Sequence, residues 1–123
     1  MVVDDDLDDC EFFREAVSEI DSSYLCVAAN NGEDALRKLR TIMKPLPDFI
    51  FLDLNMHLMD GRRFLAEVKA DDMLKQIPVI ILTTSTSQKD KDDTHNLGAA
   101  HFITKPSEYQ KLRKDILLII GQS

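Results

Sequence analysis

Short apolar runs alternate with amphipathic helical patterns along the chain. Four continuous apolar runs are typical of strands buried on both faces of a parallel sheet. They span residues 25–28, 49–52, 79–82 and 99–103. The apolar pair Val2–Val3 predicts a further, very short strand at the start of the chain. The pattern therefore predicts five strands.

Five segments between these runs have the 3.6-residue periodicity of helices that pack on a sheet. The fourth segment, from Gln88 to Leu97, is very polar and has few apolar positions. The apolar positions of the first, second, third and fifth segments are, in that order, Phe12, Phe13, Ala16, Val17 and Ile20; Ala35, Leu36, Leu39, Ile42 and Met43; Phe64, Leu65 and Val68; and Tyr109, Leu112, Ile116 and Leu117. Gly98 and Gly121 are expected to end the last two helices. A strand followed by a helix, five times over, predicts an α/β fold with a doubly wound, five-stranded parallel sheet.

Length and composition fit one globular domain spanning residues 1–123, with 44 % hydrophobic and 30 % charged residues. The net charge is −7. Because binding to phosphate backbones or anionic membranes depends on clustered Lys and Arg, we expect no direct nucleic-acid or membrane binding. The chain shows neither a run long enough for a membrane span nor the features of a signal peptide, so we expect a cytoplasmic protein.

Polar side chains follow the predicted strands at their carboxyl ends. Asp4 and Asp5 follow the first strand, Asp53 the third, Thr83 the fourth and Lys105 the fifth. Ligands of open α/β sheets bind at this edge, so we expect these groups to converge there. Clustered carboxylates repel each other unless a cation neutralises them, and carboxylate oxygens suit Mg²⁺. A hydroxyl and an ammonium beside the metal would bind phosphate, and an aspartate can attack phosphorus.

Four motifs occur in a fixed order, each at a predicted strand end. They are V-D-D at residues 3–5, D-x-N-M followed by M-D-G within residues 53–61, the threonine at position 83, and T-K-P at residues 104–106. In this order the chain resembles, over essentially its whole length, the receiver domain of two-component response regulators, in the chemotaxis-type single-domain form. The resemblance implies a flavodoxin-like (βα)₅ fold.

The resemblance also implies a phosphoryl-acceptor site that contains a metal. Asp53 would accept the phosphoryl group. Asp4 and Asp5 would hold Mg²⁺, or another divalent cation, together with Asp53. The backbone carbonyl of Asn55 would be a further metal ligand.

Three more residues match positions that respond to the phosphoryl group in this family. Thr83 would hydrogen-bond it, with Thr84 as the alternative, and Lys105 would form an ion pair with it. Phe102 matches an aromatic residue that turns inward on activation, although it also fits a plain core position. Asp6 is expected either to support the metal ligands without binding the metal or to be solvated, and Asp8 and Asp9 are expected to be first-turn residues of the first helix.

The function that the resemblance implies is a phosphorylation switch. A histidine kinase or phosphotransfer protein would donate the phosphoryl group, and the surface of the fourth helix, fifth strand and fifth helix would change to dock an output protein. The chain would catalyse only its own phosphorylation and dephosphorylation. We expect a monomer or weak dimer.

Two departures from the family pattern qualify this expectation. His57 stands where the family usually has proline, and we expect a looser loop there. Only Met1 and Val2 precede the V-D-D motif, so we expect either a trimmed N-terminus or a misassigned start, with a less stable sheet.

Two alternative functions use a similar set of residues or the same fold. A haloacid-dehalogenase-like phosphatase also uses a strand-end aspartate, a threonine and a lysine, but it needs a second aspartate where this chain has Asn55. The other alternative is a receiver-like protein-binding module that is never phosphorylated.

Overall fold

The computed structural model describes residues 1–42, 45–54, 56 and 60–121. In this part of the chain five strands alternate with five helices, as predicted. The strands are β1 (Val2–Val3), β2 (Ala28–Ala29), β3 (Ile50–Leu52), β4 (Val79–Thr83) and β5 (His101–Thr104). The helices are α1 (Leu7–Ile20), α2 (Gly32–Arg37), α3 (Gly61–Ala70), α4 (Gln88–Asn96) and α5 (Tyr109–Ile120), and α2 continues into a π-helical turn over Lys38–Ile42. None of the described helices has the length and apolar composition that a membrane crossing requires.

The five strands form one parallel sheet in the order β2-β1-β3-β4-β5. The chain moves from β1 outward to β2 and then returns to the other side of β1 to form β3. The strand order therefore reverses beside β1, and the carboxyl ends of β1 and β3 are where a ligand of such a sheet is expected.

Helices cover both faces of the sheet, which confirms the doubly wound fold. On one face, Val3, Leu52 and Ile81 of the strands pack with Phe64 and Leu65 of α3 and with apolar residues of α2. On the other face, strand residues that alternate with these pack against α1 and α5. The strand members of this second layer are Val2, Phe51, Ile80 and Leu82. Burial on both faces explains why β3 and β4 are continuous apolar runs.

Some predicted positions are wrong at the margins of the fold. Regular pairing of β2 is limited to Ala28–Ala29, and Leu25, predicted to lie in that strand, is 92 % exposed. The strand β2 lies at the sheet edge and pairs with β1. Since β1 has only two residues, a longer β2 would have no strand residues to pair with.

Two residues predicted on buried helix faces are exposed, Phe12 of α1 and Leu117 of α5. Phe13 and Ile116 take the buried positions instead, and the Phe12 ring lies 6.3 Å, centroid to centroid, from the Tyr109 ring. The predicted apolar position Met43 lies outside the described residues, as does the side chain of Ile42.

The start of α3 fixes the segment that follows β3. Asp60 caps the helix, since its carboxylate accepts a hydrogen bond of 3.0 Å from the Arg63 N–H. The Gly61 N–H donates to the Leu54 carbonyl at 3.0 Å. A Cβ atom at position 61 would lie 2.6 Å from the Leu54 Cα and 2.7 Å from the Asp53 carbonyl oxygen. Glycine is therefore required for this close approach.

Replacing Gly61 by alanine is expected to lower the free energy of unfolding by about 1–3 kcal/mol, because the helix or the 53–54 backbone must move to admit the methyl group. Urea unfolding followed by circular dichroism measures the change. Arg63→Ala, at an exposed position of the same helix, is the control and should stay within about 0.5 kcal/mol of wild type. Wild-type stability of Gly61→Ala would contradict the close approach.

The same measurement tests the reassignment of residue 25. Leu25→Ala should change the free energy of unfolding by less than about 0.5 kcal/mol, because the side chain is already exposed to water. Ile50→Ala, at a fully buried position of β3, should cost about 2–5 kcal/mol. A large loss for Leu25→Ala would mean that this segment is packed as the sequence pattern predicted.

Candidate functional site

Three carboxylates meet at the carboxyl ends of β1 and β3. Asp4 and Asp5 follow β1, and Asp53 follows β3. Val3 is paired with Leu52, and the Asp53 N–H donates to the Val3 carbonyl at 3.0 Å, so Asp4 and Asp53 leave the sheet side by side. One carboxylate oxygen from each of the three aspartates lies within 4.8 Å of the others.

The ammonium group of Lys105 joins this cluster from the end of β5. Its Nζ lies 2.8 Å from Asp4 Oδ2, 2.7 Å from Asp9 Oδ2 and 3.5 Å from Asp53 Oδ2. The Lys105 N–H donates to the Thr83 carbonyl at 2.6 Å, which ties its backbone to the end of β4. The lysine side chain is 14 % exposed, so its charge is largely removed from water and is satisfied by carboxylates.

The charges of the cluster shift the pKa of its members in a consistent way. Burial alone would lower the pKa of Lys105, but the hydrogen bonds to Asp4 and Asp9 and the nearby Asp53 charge raise it above its ordinary value. Lys105 therefore stays protonated at neutral pH. Burial raises the pKa of Asp4, while its hydrogen bond with Lys105 acts in the opposite direction.

The raised pKa of Asp4 has a consequence for stability. The folded protein holds a proton on this carboxyl more tightly than the unfolded chain, so ionising it costs stability as the pH rises above its ordinary value of 3.8. Lys105 places one positive charge within 3.5 Å of carboxylate oxygens of Asp4, Asp9 and Asp53. A divalent cation among the three clustered oxygens of Asp4, Asp5 and Asp53 would reduce the repulsion between these carboxylates.

The two adjacent threonines differ in burial. Thr83 is the last residue of β4 and is fully buried, whereas Thr84 is exposed. The Thr83 Oγ1 accepts a weak hydrogen bond of 3.4 Å from the Ser85 N–H. Because β4 is the neighbour of β3 in the sheet, Thr83 at the end of β4 lies next to the strand end that Asp53 follows.

The remaining predicted site residues lie outside this cluster or outside the described chain. Phe102 is half-buried within β5, and the Lys91 ammonium of α4 lies 5.9 Å from the centre of its ring. Asn55 and His57 lie outside the described residues.

Two residues in contact with the site were not identified from the sequence. Asp9 was interpreted as a first-turn residue of α1, and it is one, but it also forms the ion pair with Lys105. Its position four residues before the buried Phe13 was the available signal, because that spacing puts Asp9 on the face of α1 that packs on the sheet. Ser85, which contacts Thr83, lies in a polar loop and gave no signal.

A cavity of about 410 Å³ opens beside Lys105, between α1 and the start of α5. Asp4, Asp9, Phe12 and Tyr109 are among the residues that line it. Lys105 and Asp4 thus border a cleft whose lining includes both carboxylates and aromatic rings.

Comparison with known proteins agrees with this geometry. Residues 1–117 match the family model of the response regulator receiver domain. The chain is 41 % identical to the response regulator Rcp1 of Synechocystis sp. over 70 residues, which make up 57 % of this chain and 48 % of Rcp1. In each of the first curated relatives, the match spans less than half of the relative's length.

Solved structures show the same fold over nearly the whole chain. The phosphorylated cyanobacterial phytochrome response regulator RcpA superposes with a TM-score of 0.87 and 33 % identity, covering 96 % of this chain and 87 % of RcpA. The Mn²⁺-bound form of response regulator Rcp1 gives a TM-score of 0.81 and 30 % identity, covering 98 % and 89 %. The chain therefore belongs to the receiver domain family of two-component response regulators.

Proposed function

We propose that this receiver domain is a phosphorylation switch that accepts a phosphoryl group on Asp53. The observation that carries the proposal is the sharing of one buried lysine by carboxylates from adjacent strand ends. Lys105 Nζ contacts Asp4 and lies 3.5 Å from Asp53, whose side chain is 11 % exposed. A plain structural ion pair needs one carboxylate, whereas phosphoryl transfer needs an acceptor oxygen, a fixed positive charge and room for a metal.

Asp4, Asp5 and Asp53 fit a divalent cation, since one carboxylate oxygen from each lies within 4.8 Å of the others and such cations prefer oxygen ligands. We take Mg²⁺ as the ion, with the backbone carbonyl of Asn55 as a further ligand. The bound ion would neutralise charge on the transferring phosphoryl oxygens. The solved Rcp1 structure contains Mn²⁺ by its own description, which supports a divalent site in this family.

The chemistry assigned to the protein's own residues is an in-line displacement. A carboxylate oxygen of Asp53 attacks phosphorus in a phosphohistidine, the O–P bond forms, and the P–N bond breaks with its electron pair returning to the imidazole. Lys105 is charged throughout, because its pKa is raised, and it stabilises the developing negative charge. The buried Thr83 hydroxyl then donates a hydrogen bond to the bound phosphoryl group.

The switch would be transmitted through α4, β5 and α5. Thr83 moves toward the phosphoryl group, Phe102 of β5 changes its position, and the surface of these elements is altered for an output protein.

We propose a histidine kinase or phosphotransfer protein as the donor, residues 1–123 as one receiver domain, a cytoplasmic location and a monomer or weak dimer. The domain would catalyse only its own phosphorylation and dephosphorylation.

Incubation with Mg²⁺ and acetyl phosphate, followed by intact mass measurement, tests the acceptor. The wild-type protein should gain one phosphoryl group, and Asp53→Asn should gain none, because the amide lacks the nucleophilic oxygen. Asp48→Asn is the control. Asp48 is an exposed carboxylate that precedes the N-terminal end of β3, so this variant should react like wild type. A folded wild-type protein that gains no mass would favour a protein-binding module that is not phosphorylated.

Titration with Mn²⁺, with the free ion followed by electron paramagnetic resonance, tests the metal site. Asp4→Asn should weaken binding by about ten-fold or more, because it removes a charged oxygen from the cluster. Asp8→Asn, with the same change at an exposed first-turn position of α1, should bind as wild type does. Equal losses in both variants would indicate general charge attraction and no defined site.

A further inference from the structure

Helix α4 is held to the domain by very little apolar contact. Of its nine residues, all described, Thr94 alone is buried, and the sequence QKDKDDTHN contains no large apolar side chain. Hydrophobic burial therefore does little to fix its position. Polar contacts must determine where this helix lies.

Arg62 of α3 provides the main polar contacts to α4. Its Nη2 donates to Asp90 Oδ1, and its Nε lies 3.5 Å from Asp93 Oδ2. The other oxygen of Asp90, Oδ2, accepts a hydrogen bond of 2.5 Å from the Ser85 hydroxyl. The Asp90 carboxylate thus joins α3, the first turn of α4 and the loop between β4 and α4. We refer to Arg62, Ser85, Asp90 and Asp93 as the α3–α4 latch.

Ser85 connects this latch to the candidate site. Its N–H donates to Thr83 Oγ1 at 3.4 Å, and its carbonyl accepts from Thr104 Oγ1 at 3.0 Å. Its hydroxyl oxygen also accepts from the Ser87 N–H at 3.1 Å, next to the start of α4. Every polar group of Ser85 therefore has a partner, and those partners lie on β4, β5 and α4.

We propose that the α3–α4 latch holds Thr83 and α4 in the arrangement described here and so limits how readily the site takes up a phosphoryl group. This inference rests on the proposed function. The Ser85 N–H donates to the Thr83 hydroxyl and the Ser85 hydroxyl donates to Asp90, so a movement of Thr83 toward a phosphoryl group on Asp53 would act on the contacts that hold α4. If the latch favours its arrangement of Thr83 and α4 by a given factor, it must weaken phosphoryl binding by that factor, because the coupling between the two is reciprocal.

The latch is suited to a modest bias. The Arg62 side chain is 37 % exposed and that of Asp90 is 23 % exposed, so water screens the ion pair and its contribution to global stability is small. A contact of this kind shifts a balance between two helix positions without deciding whether the domain folds.

Binding of beryllofluoride with Mg²⁺, a phosphoryl mimic, tests the inference when it is followed by the amide NMR signal of Ser85. Arg62→Gln and Asp90→Asn should each lower the apparent dissociation constant by about five-fold, and the double variant should match the single variants. Without the mimic, the Ser85 signal of both variants should lie part of the way toward its bound position.

Arg40→Gln is the matched control. Arg40 forms an ion pair of similar exposure with Asp71, at 3.2 Å, but this pair joins the π-helical turn to the C-terminal end of α3 and does not contact the β4–α4 loop. It should leave both the dissociation constant and the Ser85 signal unchanged.

Unchanged or weaker binding in Arg62→Gln and Asp90→Asn would overturn the latch, as would an equal gain in Arg40→Gln. Intact mass after treatment with acetyl phosphate separates the two proposals. If the wild-type protein gains a phosphoryl group and the variants behave like wild type, the latch alone is rejected. If the wild-type protein neither gains mass nor binds beryllofluoride, the phosphorylation switch is rejected as well.

Discussion

One buried ammonium group makes this arrangement of carboxylates possible. Lys105 reaches from the end of β5 to Asp4 at the end of β1, across the ends of β3 and β4, with Asp9 of α1 on the same nitrogen. Without this ammonium group, several carboxylates at adjacent strand ends would repel each other, and bulk water would do little to screen that repulsion. The lysine therefore sets the spacing of the acidic residues, and its shared position places a positive charge 3.5 Å from a carboxylate oxygen of Asp53.

The fold was largely predictable from the sequence, because burial on both faces turns central strands into continuous apolar runs. The runs at β3 and β4 were identified correctly. Prediction failed at Leu25 and Phe12, where the outcome depends on neighbours that local periodicity does not report. The extent of β2 is limited by the two residues of β1, and the exposure of Phe12 is set by the packing of α1 against α5.

The site divides in a similar way. Residues at the carboxyl ends of strands, such as Asp4, Asp53, Thr83 and Lys105, were located because parallel strands bring these ends to one edge of the sheet. Their functional roles came from resemblance to a family and remain predictions. Asp9 and the contacts of Arg62 with α4 were not foreseen, since ion pairs between surface positions of different elements leave no periodic pattern in the chain.

The sparse apolar contact of α4 also has a thermodynamic consequence. Rearranging a helix with one buried side chain transfers little apolar surface between the interior and water, so the heat-capacity change of the rearrangement is small. The enthalpy of that motion is then nearly constant with temperature. Its energetics depend on charge, so dissolved salt acts on it. A signal carried by this helix would thus be sensitive to ionic strength, and its equilibrium would follow temperature without the curvature that apolar burial produces.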